Sequence, residues 1–163
     1  MIKTFRAGAI GALLDEYEKA ISELQQVIND LSNEELIKIV DSKTIDPNSK
    51  SIQTILSHVI RSGYGYAVYI QNLKEPKTDH PKGSFHLSVK DYQKDLNDVF
   101  SFTLDTFKNI SDIEVDQFDD SKKIITSWGQ VYNIEQIAEH AIVHILRHRR
   151  QIEKFKLALR LKN

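Results

Sequence analysis

The apolar residues of this chain recur with the spacing of an α-helix, and this periodicity most constrains its fold. The first such stretch runs from Ile10 to Leu31 and places an apolar side chain at every third or fourth position. Three further stretches have the same period, from Ser51 to Leu73, from Ser88 to Ile110 and from Asn133 to Leu159. Because none of them alternates with the period of two that marks a strand, the sequence predicts an all-α fold, a bundle of four long helices.

Capping residues mark where the predicted helices begin. A Ser or Asn followed three residues later by an acidic or amide side chain is typical of a helix N-terminus. The sequence has this spacing before a short helix that follows the first long one, and before the third and fourth long helices. The three pairs are Ser32 with Glu35, Ser88 with Asp91, and Asn133 with Gln136.

Two long connections separate the predicted helices. The segment from Lys74 to Leu87, between the second and third long helices, contains prolines and a glycine and is predicted to be a loop. Its histidines, His80 and His86, are expected to be ordinary surface residues. The segment from Ser111 to Gly129 is predicted to be an irregular connection, with a short strand as the alternative.

The composition excludes several classes of function. With 22 basic and 23 acidic side chains, the chain has a formal charge of −1 and no overall field to attract nucleic acid or an anionic membrane. It contains no cysteine, which excludes disulfides, thiolate metal sites and cysteine nucleophiles. No apolar run is long enough to span a bilayer, and the run from Ala7 to Leu14 lacks a signal-peptide cleavage site. We therefore expect a single cytoplasmic domain over residues 1–163.

Three histidines on the fourth long helix are the most informative residues. His140, His144 and His148 follow one another at intervals of four, a spacing that makes successive side chains neighbours on a helix surface. At about 100° per residue, His144 and His148 fall inside the apolar stripe and His140 falls at its polar margin. Two imidazoles on an apolar face favour metal ligation, because protonated rings repel each other and neutral rings need partners for their nitrogens.

A third ligand has to come from another helix. His58, at the margin of the apolar stripe of the second long helix, is the only histidine on another predicted helix. A histidine in such a position is more often a surface or hydrogen-bonded residue, so a metal-free bundle with a packed histidine network is the alternative. The motifs of zinc proteases, di-iron bundles, P-loops, dinucleotide-binding folds and serine hydrolases do not occur in the sequence.

These residues and the helix order resemble the DinB/YfiT-like superfamily over nearly the whole chain. The resemblance is carried by His58 on the second long helix, by the long connection between the second and third, and by four residues of the last, which are His144, His148, Arg149 and Gln151. It implies a four-helix bundle in which the three histidines bind a divalent transition metal, with zinc or nickel ahead of iron or manganese. The family commonly has His-Arg-Gly-Gln at its end, whereas this chain has Arg150 in place of the glycine.

The resemblance also implies a function. Several members of the superfamily use low-molecular-weight thiols, so we expect a metal-dependent thiol S-transferase with a small-molecule substrate, assembled as a homodimer. Hydrolysis by a metal-activated water and a non-catalytic bundle acting through protein partners are the alternatives. Further candidate site residues are His140 as an alternative ligand or a neighbour of the ligands, and Tyr66, Tyr69, Trp128, Arg149 and Gln151 around a pocket.

A basic run near the C-terminus raises a different function. Between Arg147 and Lys162 the sequence has seven Lys or Arg residues, and Glu153 is the only acid. Such a run can contact nucleic acid or another anion. Cations near a helix C-terminus also complement the helix dipole, and this simpler explanation leads us to expect no nucleic-acid partner.

Overall fold

The structure, a computed structural model, describes residues 4–74, 79 and 83–161 of the 163-residue chain. Within these ranges it contains six α-helices and one two-stranded antiparallel sheet, which confirms the predicted all-α class. No helix in this part of the chain has the length and apolar character needed to cross a membrane. The helices are α1 (Gly8–Ile28), α2 (Asn33–Ile37), α3 (Ile52–Gln71), α4 (Val89–Phe107), α5 (Asp112–Val115) and α6 (Ile134–Arg160), and the strands are β1 (Ile124–Ile125) and β2 (Val131–Tyr132).

Side-chain caps begin the helices at the predicted positions. The Asn133 side chain accepts a hydrogen bond from the backbone N–H of Gln136, whose own side chain accepts one from the Asn133 N–H. Ser32 and Glu35 form the same reciprocal pair before α2, and Ser88 caps α4 through the N–H three residues on. Because each cap satisfies N–H groups that have no partner within the helix, these boundaries are set locally.

The four long helices enclose one apolar core. Helix α1 packs against α4 and α6, and α3 packs against the same two helices. Each helix buries the apolar stripe that its sequence predicts, and burying one Leu or Ile side chain stabilises the fold by about 1.5–3 kcal/mol. The side chains with no exposed surface include Leu24, Leu56, Leu96, Ile137 and Ile152, so all four helices contribute to the centre of the core.

The connection between α4 and α6 contains a hairpin that the sequence predicts only in part. The alternative of a short strand corresponds to β1, but its antiparallel partner β2 and the preceding α5 were not predicted. The turn between the strands has Gly129 at a φ of +89°, which a residue without a Cβ adopts without strain. The N–H of Ser127 donates to the Tyr69 hydroxyl at 2.8 Å. The hairpin is thereby fastened to α3 and brings Trp128 to that helix.

The predicted loop from Lys74 to Leu87 lies partly outside the described residues. His80, which the sequence predicts to be a surface residue, is among those that are not described. The expectation for His86 was wrong, because this side chain is partly buried and its Nε2 lies 2.7 Å from Asp95 Oδ2. The backbone N–H of His86 also donates to the Tyr92 hydroxyl at 3.1 Å, and Tyr92 has no exposed surface. These contacts attach the end of the connection to α4.

Ion pairs hold part of the basic run against the end of α1. Arg149 on α6 pairs with Glu23 on α1. Lys156 and Arg160 both pair with Asp30, which follows α1, and the Arg160 contact is 2.8 Å. Hydrogen bonds from Lys156 and then from Arg160 lower the pKa of Asp30 to about 2. These cations therefore have a structural role in joining two helices.

Gly63 occupies a place where α3 and α4 approach too closely for a side chain. A Cβ at this position would lie 2.8 Å from Val99 Cγ2 and 3.2 Å from the Tyr17 hydroxyl, and both neighbours are buried. We therefore expect Gly63→Ala to lower the free energy of unfolding by about 1–3 kcal/mol in urea denaturation. Gly65→Ala is the matched control, because no atom beyond the helix's own backbone lies within 4 Å of a Cβ there. It should stabilise the protein by up to about 1 kcal/mol, and a gain in both variants would contradict the close contact at Gly63.

Candidate metal centre

Three imidazoles from two helices meet between α3 and α6. His58 comes from α3, and His144 and His148 lie one turn apart on α6. The ring centroid of His58 lies 4.8 Å from that of His144 and 5.0 Å from that of His148. The centroids of the two rings on α6 are 4.4 Å apart. One nitrogen from each ring lies within 4.8 Å of the other two. The structure therefore brings together the three histidines that the sequence singled out, and it groups His144 with His148 and not with His140.

Two ring nitrogens of the group face each other, and a third is without a partner. Nε2 of His144 lies 3.0 Å from Nε2 of His58. Nδ1 of His148 lies 2.9 Å from Gln151 Oε1, which is an acceptor, so Nδ1 carries the proton and Nε2 has the lone pair. That Nε2 is buried and has no hydrogen-bond partner in the described part of the chain. A buried nitrogen in this state is unfavourable unless a ligand takes its lone pair, so Gln151 prepares His148 to bind one.

One of these spacings is close to that of two ligands on a single small cation. Zinc bound by imidazole has Zn–N distances of about 2.0–2.1 Å, and a tetrahedral arrangement then separates the ligand nitrogens by roughly 3.3 Å. The Nε2 atoms of His58 and His144 need to separate only slightly from their 3.0 Å distance to reach that geometry. The three-histidine group of His58, His144 and His148 could therefore hold a metal ion.

Burial keeps the three rings neutral. Burial, followed by the charge of His148, lowers the pKa of His58 to about 4. Burial, followed by the charges of His148 and His58, lowers the pKa of His144 to about 3. The pKa of His148 is also lowered, chiefly by burial. At neutral pH all three rings therefore present lone pairs, which is the form that binds a metal ion.

A pocket of about 590 Å³ opens beside His58. This volume lies in the range of small-molecule sites. Tyr66, Tyr69 and Trp128, which the sequence analysis proposed as pocket residues, all line it. His140 lines it as well and so lies beside the three-histidine group. The other lining residues are Arg61, Ser62, Gly65, Val68, Asn72, Ser127 and Gln130.

His140 is held in the pocket wall by aromatic neighbours. Its ring stacks on that of Trp128 at a centroid distance of 5.4 Å and an interplanar angle of 23°. Its Nδ1 lies 3.4 Å from the Tyr132 hydroxyl. Tyr132 and Trp128 both donate hydrogen bonds to Gln130 Oε1, at 2.6 and 2.8 Å. These contacts with the hairpin hold the His140 ring in the wall of the pocket.

The structure places Arg149 away from the pocket. Its guanidinium pairs with Glu23, and its Nε lies 3.6 Å from Glu153. Sequence reasoning missed Arg61, although its spacing from His58 on the same helix was a signal that both share a face. It also missed Gln130, whose position depends on the hairpin and has no comparable sequence signal.

The chain matches no protein-family model and no curated protein.

Acid should destabilise the metal-free protein through the buried histidines. In the unfolded chain each histidine has a pKa of about 6.5, whereas folding lowers the pKa of His58 to about 4 and that of His144 to about 3. As the pH falls below the histidine pKa of the unfolded chain, the unfolded state binds more protons than the folded state. The free energy of unfolding therefore falls progressively. We measure the thermal midpoint in EDTA as the pH falls from the unfolded pKa of His144 toward its folded pKa of about 3. Over this range, the midpoint of His144→Gln should fall less steeply than that of the unsubstituted protein. Parallel curves would contradict the lowered pKa of His144.

Proposed function

We propose that this protein is a metal-dependent enzyme of the DinB/YfiT-like type, in which His58, His144 and His148 hold a divalent transition metal ion and a low-molecular-weight thiol is the cosubstrate. The metal part rests on the convergence of three neutral imidazoles, one of which has a buried Nε2 without a partner in the described ranges. The finer fold assignment, a DinB/YfiT-like four-helix bundle, is supported by four long helices around one core and by the long connection between α3 and α4.

Zinc or nickel is the metal that we propose. The three candidate ligands all supply nitrogen, and no carboxylate of the described residues joins the group. Imidazole ligation suits zinc, nickel, iron and copper, whereas manganese prefers oxygen ligands. Three protein ligands are also the usual number in catalytic zinc sites, which keep one position for water or substrate.

The side chains of the site would bind and orient the reactants. When bound, such an ion supplies a Lewis acid that lowers the pKa of a thiol or of water. Gln151 orients the His148 ring, and the pocket reaches the group at His58. The chain has no cysteine, so the sulfur nucleophile has to come from a second substrate. In the transfer, the thiolate sulfur forms a bond to an electrophilic carbon, the leaving group departs with its electron pair, and the thiol proton passes to solvent.

Metal analysis tests the ligand group directly. Protein purified without a His tag should contain about one equivalent of transition metal per chain when measured by mass spectrometry. His144→Ala and His148→Ala each remove one of three ligands and should lose that metal. His140→Ala, one turn away on the same helix, is the matched control and should retain it.

Two results would contradict the metal proposal. Protein that binds none of zinc, nickel, manganese or iron, even after each is added, would favour the alternative of a non-catalytic bundle acting through protein partners. Loss of metal in His140→Ala with retention in His148→Ala would instead assign His140 as a ligand.

Thiol transfer tests the reaction. The metal-loaded protein should accelerate thioether formation between chlorodinitrobenzene and a small thiol such as cysteine or glutathione, with chloride as the leaving group. His144→Ala should lower the rate, followed by product absorbance, to that of the uncatalysed reaction, because its ligand set is incomplete. Arg150→Gln, an exposed change on the same helix, should leave the rate unchanged. Consumption of the electrophile without any need for thiol would contradict thiol transfer and point to hydrolysis.

A further inference from the structure

The pocket beside His58 has two unlike walls. One wall is a single face of α3, because Arg61, Gly65 and Tyr69 follow one another at intervals of four residues. The other wall is formed by the turn of the hairpin, which carries Trp128, and by His140 of α6, which stacks on it. A helix rises by about 1.5 Å per residue, so Arg61 and Tyr69 are about 12 Å apart along the helix axis. The pocket, which we call the slot, therefore has a cationic end at Arg61, near His58, and an aromatic end at Tyr69.

Gly65 keeps the middle of this slot open. A glycine inside a helix is destabilising relative to alanine, and at Gly63 the close approach of α4 accounts for it. No such contact exists at Gly65, where a Cβ would meet no atom within 4 Å beyond the helix's own backbone. The missing side chain instead widens the pocket between α3 and Trp128.

The cationic end of the slot has no carboxylate among its described lining residues. Arg61 is the only Lys, Arg, Asp or Glu residue of the described ranges that lines the pocket, although the charge of Asp46 reaches the neighbouring His58. Its Nη2 donates to Asn48 Oδ1 at 3.1 Å, and the guanidinium forms no ion pair with a carboxylate of residues 4–74, 79 or 83–161. A planar guanidinium matches a carboxylate through two parallel hydrogen bonds. The complementary ligand therefore carries an anionic group at this end.

The aromatic end offers an open ring surface. Trp128 is 44% exposed, although His140 stacks on its ring. The rings of Tyr66 and Tyr69 stand nearly perpendicular to it at centroid distances of 6.3 and 5.9 Å. A further flat ring can join such a cluster by offset stacking or by edge contacts, both of which are favourable for aromatic groups.

We propose that this pocket binds a flat aromatic carboxylate, with its ring against Trp128 and Tyr69 and its carboxylate on Arg61. To be the electrophilic substrate of the transfer reaction, such a compound would also have to carry a leaving group, such as a halide, on the carbon that the sulfur attacks, and this role rests on the proposed function. Its binding, however, uses only side chains of α3 and the hairpin and requires no metal ion.

Naphthoate is the probe, and naphthalenemethanol is its uncharged counterpart of the same ring size. Titration calorimetry measures both dissociation constants, and quenching of Trp128, the only tryptophan in the chain, locates the ring. We expect naphthoate to bind up to about fivefold more tightly, because only the acid forms charge-assisted hydrogen bonds with the exposed Arg61 guanidinium. Equal affinities, or binding without quenching of Trp128, would overturn the proposal.

Substitutions at the cationic end and in the middle of the slot sharpen the test. Arg61→Gln should reduce the affinity for naphthoate to that of the alcohol and leave the alcohol unaffected. Gly65→Leu fills the slot and should abolish binding of both, and Gly65→Ala, a milder change for use if the leucine variant does not fold, should weaken both. Arg150→Gln, an exposed cation on α6, is the matched control and should change neither affinity. Unaltered binding in Arg61→Gln or in a folded Gly65→Leu would overturn the proposal.

The same titration on His144→Ala in EDTA separates this inference from the proposed function. Retained naphthoate binding in this variant would support the pocket whatever the metal analysis shows. If the unsubstituted protein then binds no metal ion, the metal proposal is overturned and the pocket proposal stands. If the unsubstituted protein binds a metal ion but not naphthoate, the pocket proposal is overturned and the metal proposal stands.

Discussion

Helix α6 buries its apolar stripe against α1 and α3, and this burial positions the histidines as well as the core. Ile145 and Ile152 face inward, and the rotation of the helix that buries them turns His148 inward too, leaving it 3% exposed. His144 lies one turn earlier on the same side. Burial therefore brings the rings to His58 and, by removing them from water, lowers their pKa values. One packing interaction thus supplies both the geometry and the protonation state that metal binding needs.

The pocket depends on a second set of contacts. The hairpin has only two residues in each strand, and a hairpin of that size is not stable in isolation. It is held by the hydrogen bond from Ser127 to the Tyr69 hydroxyl and by the packing of Trp128 on aromatic rings of α3. The three-histidine group therefore lies on two long helices, whereas one wall of the pocket lies on a connection. Such a division is common where a rigid scaffold carries the reacting groups and a loop shapes access to them.

The charged side chains fall into two groups, those paired within the fold and one that lines the pocket. The cations at the end of α6 lie against carboxylates at the end of α1, where Asp30 receives both Lys156 and Arg160. Arg61 differs from them because it lines the pocket without an ion pair to a described carboxylate. In the proposed function, the metal site and Arg61 would make the His58 end of the pocket attractive to anions, among them a thiolate and a carboxylate.

The parts of the fold and the site that could be predicted are those that depend on local geometry. Ser32 and Asn133 begin helices through hydrogen bonds that reach only three residues along the chain. His144 and His148 share a face because of the rotation per residue within one helix. Neither feature needs knowledge of any other element.

The rest depends on contacts between residues that are distant in sequence. His58 meets His144 across 86 residues, and Arg149 meets Glu23 across 126. The hairpin was only partly predictable, because strands of two residues are too short to show alternation. The sequence by itself determined which side chains share a helix face, since rise and rotation are properties of a single helix. The tertiary structure alone decided which faces meet, since that depends on how the whole core packs.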